Sequence, residues 1–347
     1  MQVHRRILTT LFVLLSFIFP LKVLAKNYDQ IYIFGDSFSD TGNVYNTTSQ
    51  IIPPSPPYFN GRFSNGPVWV EYLASDLGLT FNSDSNFAFG GATTGFENIG
   101  MSGLPGLQQE INSFIAVNPS ADSDALYILW IGANDYLNSF FGGVPDTLQV
   151  VTNESAAVTS LAAVGAKDIV VANLPDLGMF PIARSDSEIS NLLSADISIY
   201  NSDLAATLNF LSQKLSSDVN IIPLDLNSLF NRIISAPDEF GFTNVSGYCI
   251  QDFSVVSVVL ATQPSTCDPN KFLFWDPVHP TTVIHKLIGE FAFSVVQPVS
   301  VPEASTAFGM LLFGALGVVS LLKRKYQQVS PEYRNLIGQD HTYGMPT

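Results

Sequence analysis

Two short stretches of the chain carry the residue types of nucleophilic acyl-transfer chemistry. The first, "FGDSFSDTGN" (34–43), places Ser37 just after an apolar run, and the second, "FWDPVHPT" (274–281), places Asp276 three residues before His279. A serine hydroxyl is a poor nucleophile near neutral pH, so it needs a histidine within hydrogen-bond reach and an acid that orients the histidine. These residues predict a serine hydrolase in which Ser37 attacks, His279 is the base and Asp276 orients it.

The choice of histidine is narrow, because the chain contains four. His4 lies in the amino-terminal segment and His341 in the carboxyl-terminal tail, whereas His285 falls inside a predicted helix. His279 instead lies in a loop with an acid close by, which suits a general base. Taken alone, this segment would be explained equally well by an Asp-Pro turn before a helix, with a histidine on the surface.

Two further motifs supply hydrogen-bond donors of the kind that stabilise a tetrahedral oxyanion. "FAFGGATTG" contains Gly90 and Gly91, and "WIGANDY" contains Asn134. Backbone N–H groups beside a glycine and an asparagine amide are suitable donors, so we assign this role to Gly91 and Asn134, with the amide of Ser37. Alone, each motif is more often a turn or a helix cap. Their order after successive predicted strands favours the joint interpretation, because the carboxyl ends of parallel strands meet at one edge of a sheet.

Alternating apolar runs must position these motifs. Five runs bounded by turn residues predict strands covered on both faces: Ile31–Phe34, Asn86–Phe89, Ala125–Ile131, Asp168–Ala172 and Val219–Leu224. The stretches between them predict helices, namely Pro67–Leu77, Leu107–Ala116, Thr147–Val164, Glu188–Leu215 and Thr281–Val296. This alternation predicts an α/β fold with a parallel sheet between layers of helices.

The four motifs occur in an order and at spacings that resemble the GDSL esterase/lipase family, also called SGNH hydrolases, over roughly residues 28–296. The resemblance implies a three-layer α/β/α, flavodoxin-like fold with a mostly parallel five-stranded sheet. It also implies an ester hydrolase that uses no cofactor and no metal, with the catalytic residues and oxyanion donors assigned above. The sequence departs from the family pattern at Phe38, where the name-giving motif has leucine, and its paired glycines leave Gly90 as an alternative to Gly91.

Charge and composition limit the partners of the protein. The chain has 347 residues, of which 46% are hydrophobic, so it can bury a substantial core. Its formal net charge is −15, and between Asn27 and Pro302 only seven cationic residues stand against 27 acids. Nucleic-acid binding is therefore not expected, because no basic patch is available to neutralise phosphates.

The amino-terminal segment has the features of a secretory signal. Residues 1–26 begin with basic residues, continue through an apolar stretch over Ile7–Phe19 and reach small residues near Ala25, after which we predict cleavage. The alternative is a membrane anchor, although Pro20 and Lys22 interrupt the apolar run. Export places the following domain, 27–297, in an oxidising compartment, where Cys249 and Cys267 are more apt to form a disulfide than a metal site or a thiol nucleophile.

The carboxyl-terminal segment predicts a membrane contact. Residues 298–303 form a linker, 304–322 an apolar stretch long enough for a transmembrane helix, and 323–347 a basic cluster and polar tail. "VPEAST", the apolar stretch and "KRK" resemble a PEP-CTERM sorting signal, which implies transit through the inner membrane, transient anchoring and processing by sorting machinery near Pro302. Ala304 replaces the second proline common in that motif, and some twenty residues follow Lys325, so a plain carboxyl-terminal anchor is the alternative.

Together these features predict an exported, secreted or cell-surface serine esterase or lipase that acts on a lipid or other small ester. We expect aromatic residues near the site to suit an apolar acyl chain: Tyr58, Phe59, Phe63, Trp69, Phe87 and Phe89. Two alternatives are an acetylesterase acting on extracellular polysaccharide and a non-catalytic anchored binding protein on the same fold. The second would be favoured if the serine, the histidine or the acid were absent, and all three are present.

Overall fold

A parallel sheet of four strands lies at the centre of the fold. The computed structural model describes residues 26–141, 143, 145–250 and 267–297. The strands are β1 (Ile31–Gly35), β2 (Leu126–Trp130), β3 (Asp168–Ala172) and β4 (Asn220–Leu224), adjacent in that order. All three pairings are parallel, with Ile31 opposite Leu126 and Asp168 opposite Asn220. Every residue of β2 and β3 is buried, as the apolar runs that make up β2 and all of β3 after Asp168 predict.

The segment Asn86–Phe89 occupies a fifth position beside β1, but it is not a regular strand. It forms one parallel bridge, between Asn86 and Ile33, and the amides of Phe87 and Phe89 donate to the carbonyls of Ile33 and Gly35 at 2.8 and 3.0 Å. The amide of Ala88 instead donates to the side-chain oxygen of Asn86 at 2.9 Å. The amide of Ala88 faces away from β1, so this local bond satisfies a donor on the outer side of the segment and leaves the two bonds to β1 in place.

The helices confirm the predicted α/β alternation. In the described residues they are α1 (Asn43–Thr47), α2 (Trp69–Asp76), α3 (Leu107–Val117), α4 (Ala133–Leu137), α5 (Thr147–Ala163), α6 (Pro181–Arg184), α7 (Ser187–Lys214), α8 (Leu226–Ser235) and α9 (Thr282–Val296). The five predicted helices correspond to α2, α3, α5, α7 and α9, with ends within two residues of those predicted. The sequence analysis missed α8 and the three shortest helices.

Acidic side chains set where several of these helices begin. Asp146 accepts a hydrogen bond from the amide of Gln149 at the start of α5, and Asp186 accepts two, from Glu188 and Ile189, at the start of α7. A carboxylate at this position satisfies amides that have no partner within the helix and interacts favourably with the helix dipole.

The helices form a layer on each side of the sheet. The helix α2 packs against α9, whereas α5 packs against both α3 and α7. The helix α2 connects β1 to the edge segment Asn86–Phe89. The helices α3, α5 and α7 then lead to β2, β3 and β4, which lie in the opposite direction across the sheet. Right-handed crossovers therefore place these two groups on opposite faces, which gives the three-layer α/β/α arrangement.

A small two-stranded sheet supports the loop that carries His279. Strands β5 (Asn244–Tyr248) and β6 (Phe272–Phe274) pair in parallel. Cys249 and Cys267 form a disulfide with a Cα–Cα distance of 5.5 Å. Cys249 packs in a buried cluster with Tyr58, Ile250 and Trp275.

The predicted targeting segments lie outside the described residues. The amino-terminal signal up to residue 25, the linker at 298–303, the apolar stretch at 304–322 and the tail at 323–347 all belong to this part of the chain. Within the described ranges, no helix combines the length and the apolar character that a membrane span requires.

Candidate active site

The three predicted catalytic residues form one hydrogen-bonded chain. Ser37 follows β1, whereas Asp276 and His279 lie in the loop after β6. Ser37 and His279 are 242 positions apart in the chain. The Oγ atom of Ser37 is 2.8 Å from Nε2 of His279, and Nδ1 of His279 is 2.7 Å from Oδ2 of Asp276. This is the geometry in which a histidine can take the proton of a serine while a carboxylate stabilises the resulting imidazolium.

A tight turn presents Ser37 at the carboxyl end of β1. The carboxylate of Asp36 accepts a hydrogen bond from the amide of Phe38 at 3.0 Å, and the amides of Ser39 and Asp40 both donate to the Asp36 carbonyl at 2.9 Å. The amide of Ser37 is left with no acceptor among the described residues. Burial raises the pKa of Asp36 to about 7, and its second carboxylate oxygen has no partner in this part of the chain.

The carboxylate of Asp276 is fully buried and holds four hydrogen bonds. Its Oδ1 accepts from the amides of Val278 and His279, both at 2.8 Å, and its Oδ2 accepts from the His279 ring and from the Tyr58 hydroxyl at 2.6 Å. Burial acts to raise the pKa of Asp276, but His279 and these hydrogen bonds outweigh it, so the pKa is lowered. The group is therefore an anion at neutral pH and fixes the orientation of the imidazole.

The imidazole of His279 is held by its own turn and by two aromatic rings. The amide of Trp275 donates to the carbonyl of His279 at 2.7 Å, which closes the turn. The rings of Phe38 and Phe63 lie with centroids 5.9 and 5.2 Å from the imidazole. Phe38 is almost fully buried and stacks on Trp130, so the departure from leucine at this position fills the core beside the site.

His285 lies in α9, as the sequence predicts, and takes no part in this chain. It is buried, and its Nδ1 accepts a hydrogen bond from the amide of Trp69 at 3.3 Å. Burial, with a smaller contribution from His279, lowers its pKa to about 3. His285 is therefore neutral, and its role is to join α9 to α2.

The structure distinguishes Gly90 from Gly91 as candidate oxyanion donors. The amide of Gly90 donates to Oδ2 of Asp40 at 2.9 Å, so it is occupied. The amide of Gly91 has no acceptor among the described residues, and Gly91 lines the same cavity as Ser37 and Asn134. One amide hydrogen of Asn134 is used by the carbonyl of Ala92 at 2.9 Å, which leaves the other free. Three donors thus remain available around the hydroxyl of Ser37.

Comparisons with known proteins show the family of this chain. The model of the GDSL-like lipase/acylhydrolase family matches residues 31–292. The chain belongs to this family. The phosphatidylcholine-sterol acyltransferase of Aeromonas hydrophila is 31% identical to it over 312 residues, covering 78% of this chain and 90% of that protein. The chain is accordingly a carboxylic ester hydrolase of the GDSL family.

Two further proteins resemble this GDSL hydrolase. The thermolabile hemolysin of Vibrio parahaemolyticus is 31% identical over 273 residues, covering 76% of this chain, and the chain spans about three fifths (62%) of the hemolysin's length. The solved structure of a GDSL-like lipase from Parabacteroides merdae is 13% identical, covers 79% of this chain and 99% of that one, and has a TM-score of 0.47.

Asp40 positions the loop that carries Gly90 and Gly91 in this GDSL hydrolase, a role that the sequence analysis did not assign. Besides Gly90, its carboxylate accepts hydrogen bonds from the amides of Gly42, Asn43 and Val44 at 2.6 to 3.2 Å. The segment after Ser37 is thereby tied to the loop that carries Gly91. The sequence did offer a clue to this role, because the serine motif contains a second Ser-Asp pair, Ser39 and Asp40, that its turn alone does not require.

Glu110 is a second positioning acid. It lies on the buried face of α3, and its carboxylate accepts from the amides of Gly35 and Phe89 at 2.9 and 3.2 Å. It therefore joins the end of β1 to the end of the edge segment, just before Ser37 and Gly90. An acid on the same helix face as Leu107, Ile111 and Phe114 is the pattern that could have revealed it.

Asp135 joins the two motifs that carry the oxyanion donors. Its carboxylate accepts hydrogen bonds from the amide and hydroxyl of Thr94 at 2.9 and 2.8 Å. Burial outweighs these bonds and raises the pKa of Asp135 to about 6.

Gly91 itself has a φ of +83°, and a Cβ there would lie within 2.6 Å of Asn98 and Gly100, so only glycine fits.

A cavity of about 250 Å³ opens beside the hydroxyl of Ser37. Its apolar lining comes from several separate segments: Val44, Ile52, Phe63, Ile99, Met101, Leu104, Leu137, Ile182 and Val278. Ser37, Asn134 and His279 supply polar groups to the same cavity. An apolar cavity beside a candidate nucleophile can hold an acyl chain.

Five of the six aromatic residues expected to suit an acyl chain do not line the cavity beside Ser37. Phe63 lines the cavity, but Trp69 and Phe87 pack in the main core, and the hydroxyl of Tyr58 faces Asp276. Phe59 is exposed on the surface. Sequence proximity to the motifs did not decide which side chains face the substrate, because most aromatic residues in any domain are used in packing.

Among the described residues, no group of three or more histidine, cysteine or acidic side chains could hold a metal ion.

Proposed function

We propose that this GDSL hydrolase is a serine esterase that hydrolyses esters of apolar acyl chains through an acyl-enzyme on Ser37. The observation that carries the proposal is the hydrogen-bonded chain of Ser37, His279 and Asp276 at the wall of an apolar cavity. Family membership supports ester hydrolysis as the reaction, and the apolar cavity supports an apolar acyl chain as the substrate.

The first half of the reaction transfers the acyl group to the enzyme. The Oγ atom of Ser37 attacks the ester carbonyl carbon, and Nε2 of His279 takes the hydroxyl proton. The amides of Ser37 and Gly91 and the side chain of Asn134 donate to the oxyanion, at an expected worth of roughly 2.7–4 kcal/mol for each donor. The imidazolium then gives its proton to the leaving alkoxide, so that the alcohol departs.

The second half releases the acid and restores the enzyme. Water attacks the acyl carbon, His279 accepts the proton of this water, and the same donors stabilise the second oxyanion. Collapse of this intermediate returns the proton to the Oγ atom of Ser37. Asp276 remains ionised throughout and stabilises the imidazolium in both halves.

The cavity favours acyl chains longer than acetyl. Its volume of about 250 Å³ has room for more than an acetyl group. An acetyl group would leave most of this apolar surface in contact with water. Each methylene that enters contributes about 0.8 kcal/mol, so the polysaccharide acetylesterase is the less favoured function.

We expect the rate of ester hydrolysis to rise with acyl-chain length. From acetate to hexanoate, four additional methylenes contribute about 3 kcal/mol, so kcat/KM on p-nitrophenyl esters should increase on the order of 10²-fold. Val44→Phe places a larger side chain in the cavity and should move the optimum to shorter chains. Val117→Phe, at an exposed position at the end of α3, is the matched control and should leave the profile unchanged.

A maximum at acetate, unaffected by Val44→Phe, would contradict an acyl chain in this cavity and favour the acetylesterase. An absence of turnover on every ester, from protein shown by circular dichroism to be folded, would instead support the non-catalytic binding protein.

We further propose that the protein is exported and passes through the inner membrane. The amino-terminal segment has the order of a secretory signal, and the disulfide between Cys249 and Cys267 is of a kind that persists in oxidising compartments. Residues 304–322 would then hold the chain at the membrane until processing near Pro302. Intact-mass measurement of protein from the native host should give Lys26 as the first residue, and a retained amino terminus would contradict cleavage.

A further inference from the structure

We propose that Tyr58 is a positioning residue of the catalytic site, which sets the charge and orientation of Asp276. This inference rests on the proposed serine mechanism. The Tyr58 hydroxyl donates to Oδ2 of Asp276 at 2.6 Å, the same oxygen that Nδ1 of His279 contacts at 2.7 Å. Two donors therefore share the negative charge of one carboxylate oxygen.

The loop that carries Tyr58 is fastened to the loop that carries His279. The hydroxyl of Ser64 donates to the carbonyl of Pro280 at 2.9 Å, and Oδ1 of Asn65 accepts from the amide of Thr282 at 2.8 Å. The amide of Tyr58 donates to the carbonyl of Pro54 at 3.1 Å. These contacts tie together the two loops that carry Tyr58 and Asp276, so that the Tyr58 hydroxyl stays within hydrogen-bond reach of the carboxylate.

Tyr58 can act only as a donor at this position. The side chain is 3% exposed, and burial, followed by the charge of Asp276, raises its pKa well above the ordinary value. The phenol therefore keeps its proton across the pH range in which a hydrolase works. Its hydroxyl withdraws negative charge from Oδ2, which weakens the hold of the carboxylate on protonated His279.

The other titratable groups near His279 do not contact the phenol. Asp36 precedes Ser37 in the same turn and His285 lies in α9, and both interact electrostatically with His279, as Asp276 does. Neither Asp36 nor His285 forms a hydrogen bond to Tyr58. Removing the Tyr58 hydroxyl therefore acts on His279 through its hydrogen-bond partner Asp276.

Replacing Tyr58 by phenylalanine should change the pH profile as well as the rate. With one donor fewer, Oδ2 carries more negative charge and stabilises the imidazolium, so the acid limb of kcat/KM should move to higher pH by about half a unit. The carboxylate also loses one restraint, so the plateau value of kcat should fall roughly fivefold. A residue that merely fills space would lower the rate without moving the limb.

The experiment measures kcat/KM against pH on p-nitrophenyl hexanoate for the wild type, Tyr58→Phe, Tyr45→Phe and Ser37→Ala. Tyr45 is the matched control, because its ring packs against Gly61 of the neighbouring loop and its hydroxyl forms no hydrogen bond to a described residue. We expect the acid limb to move in Tyr58→Phe and to stay in place in Tyr45→Phe. A limb that does not move in Tyr58→Phe, or moves equally in both, overturns the proposal.

Two further measurements keep the outcomes separate. If Tyr58→Phe is too slow for a profile, the downfield proton resonance of the His279 Nδ1–H, identified by its loss in His279→Ala, should shift relative to wild type, and an unshifted resonance overturns the proposal. If Ser37→Ala retains full activity, the serine mechanism itself fails. If Ser37→Ala is inactive while Tyr58→Phe matches the wild type, only the inference on Tyr58 fails.

Discussion

Replacing Ser37 by alanine should lower kcat for ester hydrolysis by about 10⁶-fold, as loss of the nucleophile does in other serine hydrolases. The Oγ atom of Ser37 forms one hydrogen bond among the described residues, to His279, so its removal should leave the fold intact. Residual catalysis of roughly 10³ to 10⁴ over water should remain, because the donors at Gly91 and Asn134 are still present. The measurement is steady-state hydrolysis, with covalent labelling by a fluorophosphonate and mass spectrometry of the adduct.

Ser39→Ala is the matched control for this prediction. Ser39 lies in the same turn, but its hydroxyl accepts a hydrogen bond from the indole of Trp69 at 3.1 Å and does not contact His279. We expect Ser39→Ala to retain activity within a few-fold and to keep the fluorophosphonate label. Loss of activity in both variants would mean that the turn is needed for the fold. A label on another residue would mean that Ser37 is not the nucleophile.

Replacing Asp276 by asparagine should lower kcat by about 10⁴-fold. The amides of Val278 and His279 both need an acceptor at the Oδ1 position, so the new NH₂ group should occupy the Oδ2 position. There it would donate to Nδ1 of His279 and drive the proton of the imidazole to Nε2. An Nε2–H faces the hydroxyl of Ser37 and cannot accept its proton, so the base is lost although the shape is kept.

The Asp276→Asn prediction has two checks. Asp186→Asn is the matched control, because Asp186 caps α7, does not line the cavity, and as an asparagine would keep an amide oxygen that can accept from Glu188 and Ile189. It should retain full activity. Equal activity of Asp276→Asn and wild type, with an unchanged thermal midpoint, would show that the carboxylate does not act through His279.

The regular elements and the catalytic residue types were predictable because both follow from local sequence. The run at residues 168–172 is β3, and the helix predicted at Thr147–Val164 ends one residue earlier as α5. Continuous apolar runs and helical periodicity are short-range patterns, so they survive without knowledge of the fold. The assignment of His279 was equally local, because the other histidines were excluded by position in the chain or in a helix.

The irregular parts were not predictable for a physical reason. The segment Asn86–Phe89 has strand composition, but among the described residues it forms a single parallel bridge to β1, and composition does not decide how far such pairing extends. The short strands β5 and β6 have little periodicity, and packing beside Cys249 and Trp275 stabilises them. Tertiary contacts override weak local preference in such segments.

The sequence by itself determined the α/β class, the order of the strands and helices, and the choice of Ser37, Asp276 and His279 as candidate catalytic residues. Chemistry demands these residue types, and hydrophobic patterning specifies the elements that carry them. Only the tertiary structure decided between Gly90 and Gly91, since the choice depends on where the carboxylate of Asp40 lies.

The tertiary structure also decided which side chains line the cavity and which residue supports Asp276. The hydroxyl of Tyr58 reaches a carboxylate 218 positions further along the chain, and the cavity walls come from segments between Val44 and Val278. No local pattern records such contacts, because they arise when the carboxyl ends of the strands bring distant loops to one edge of the sheet.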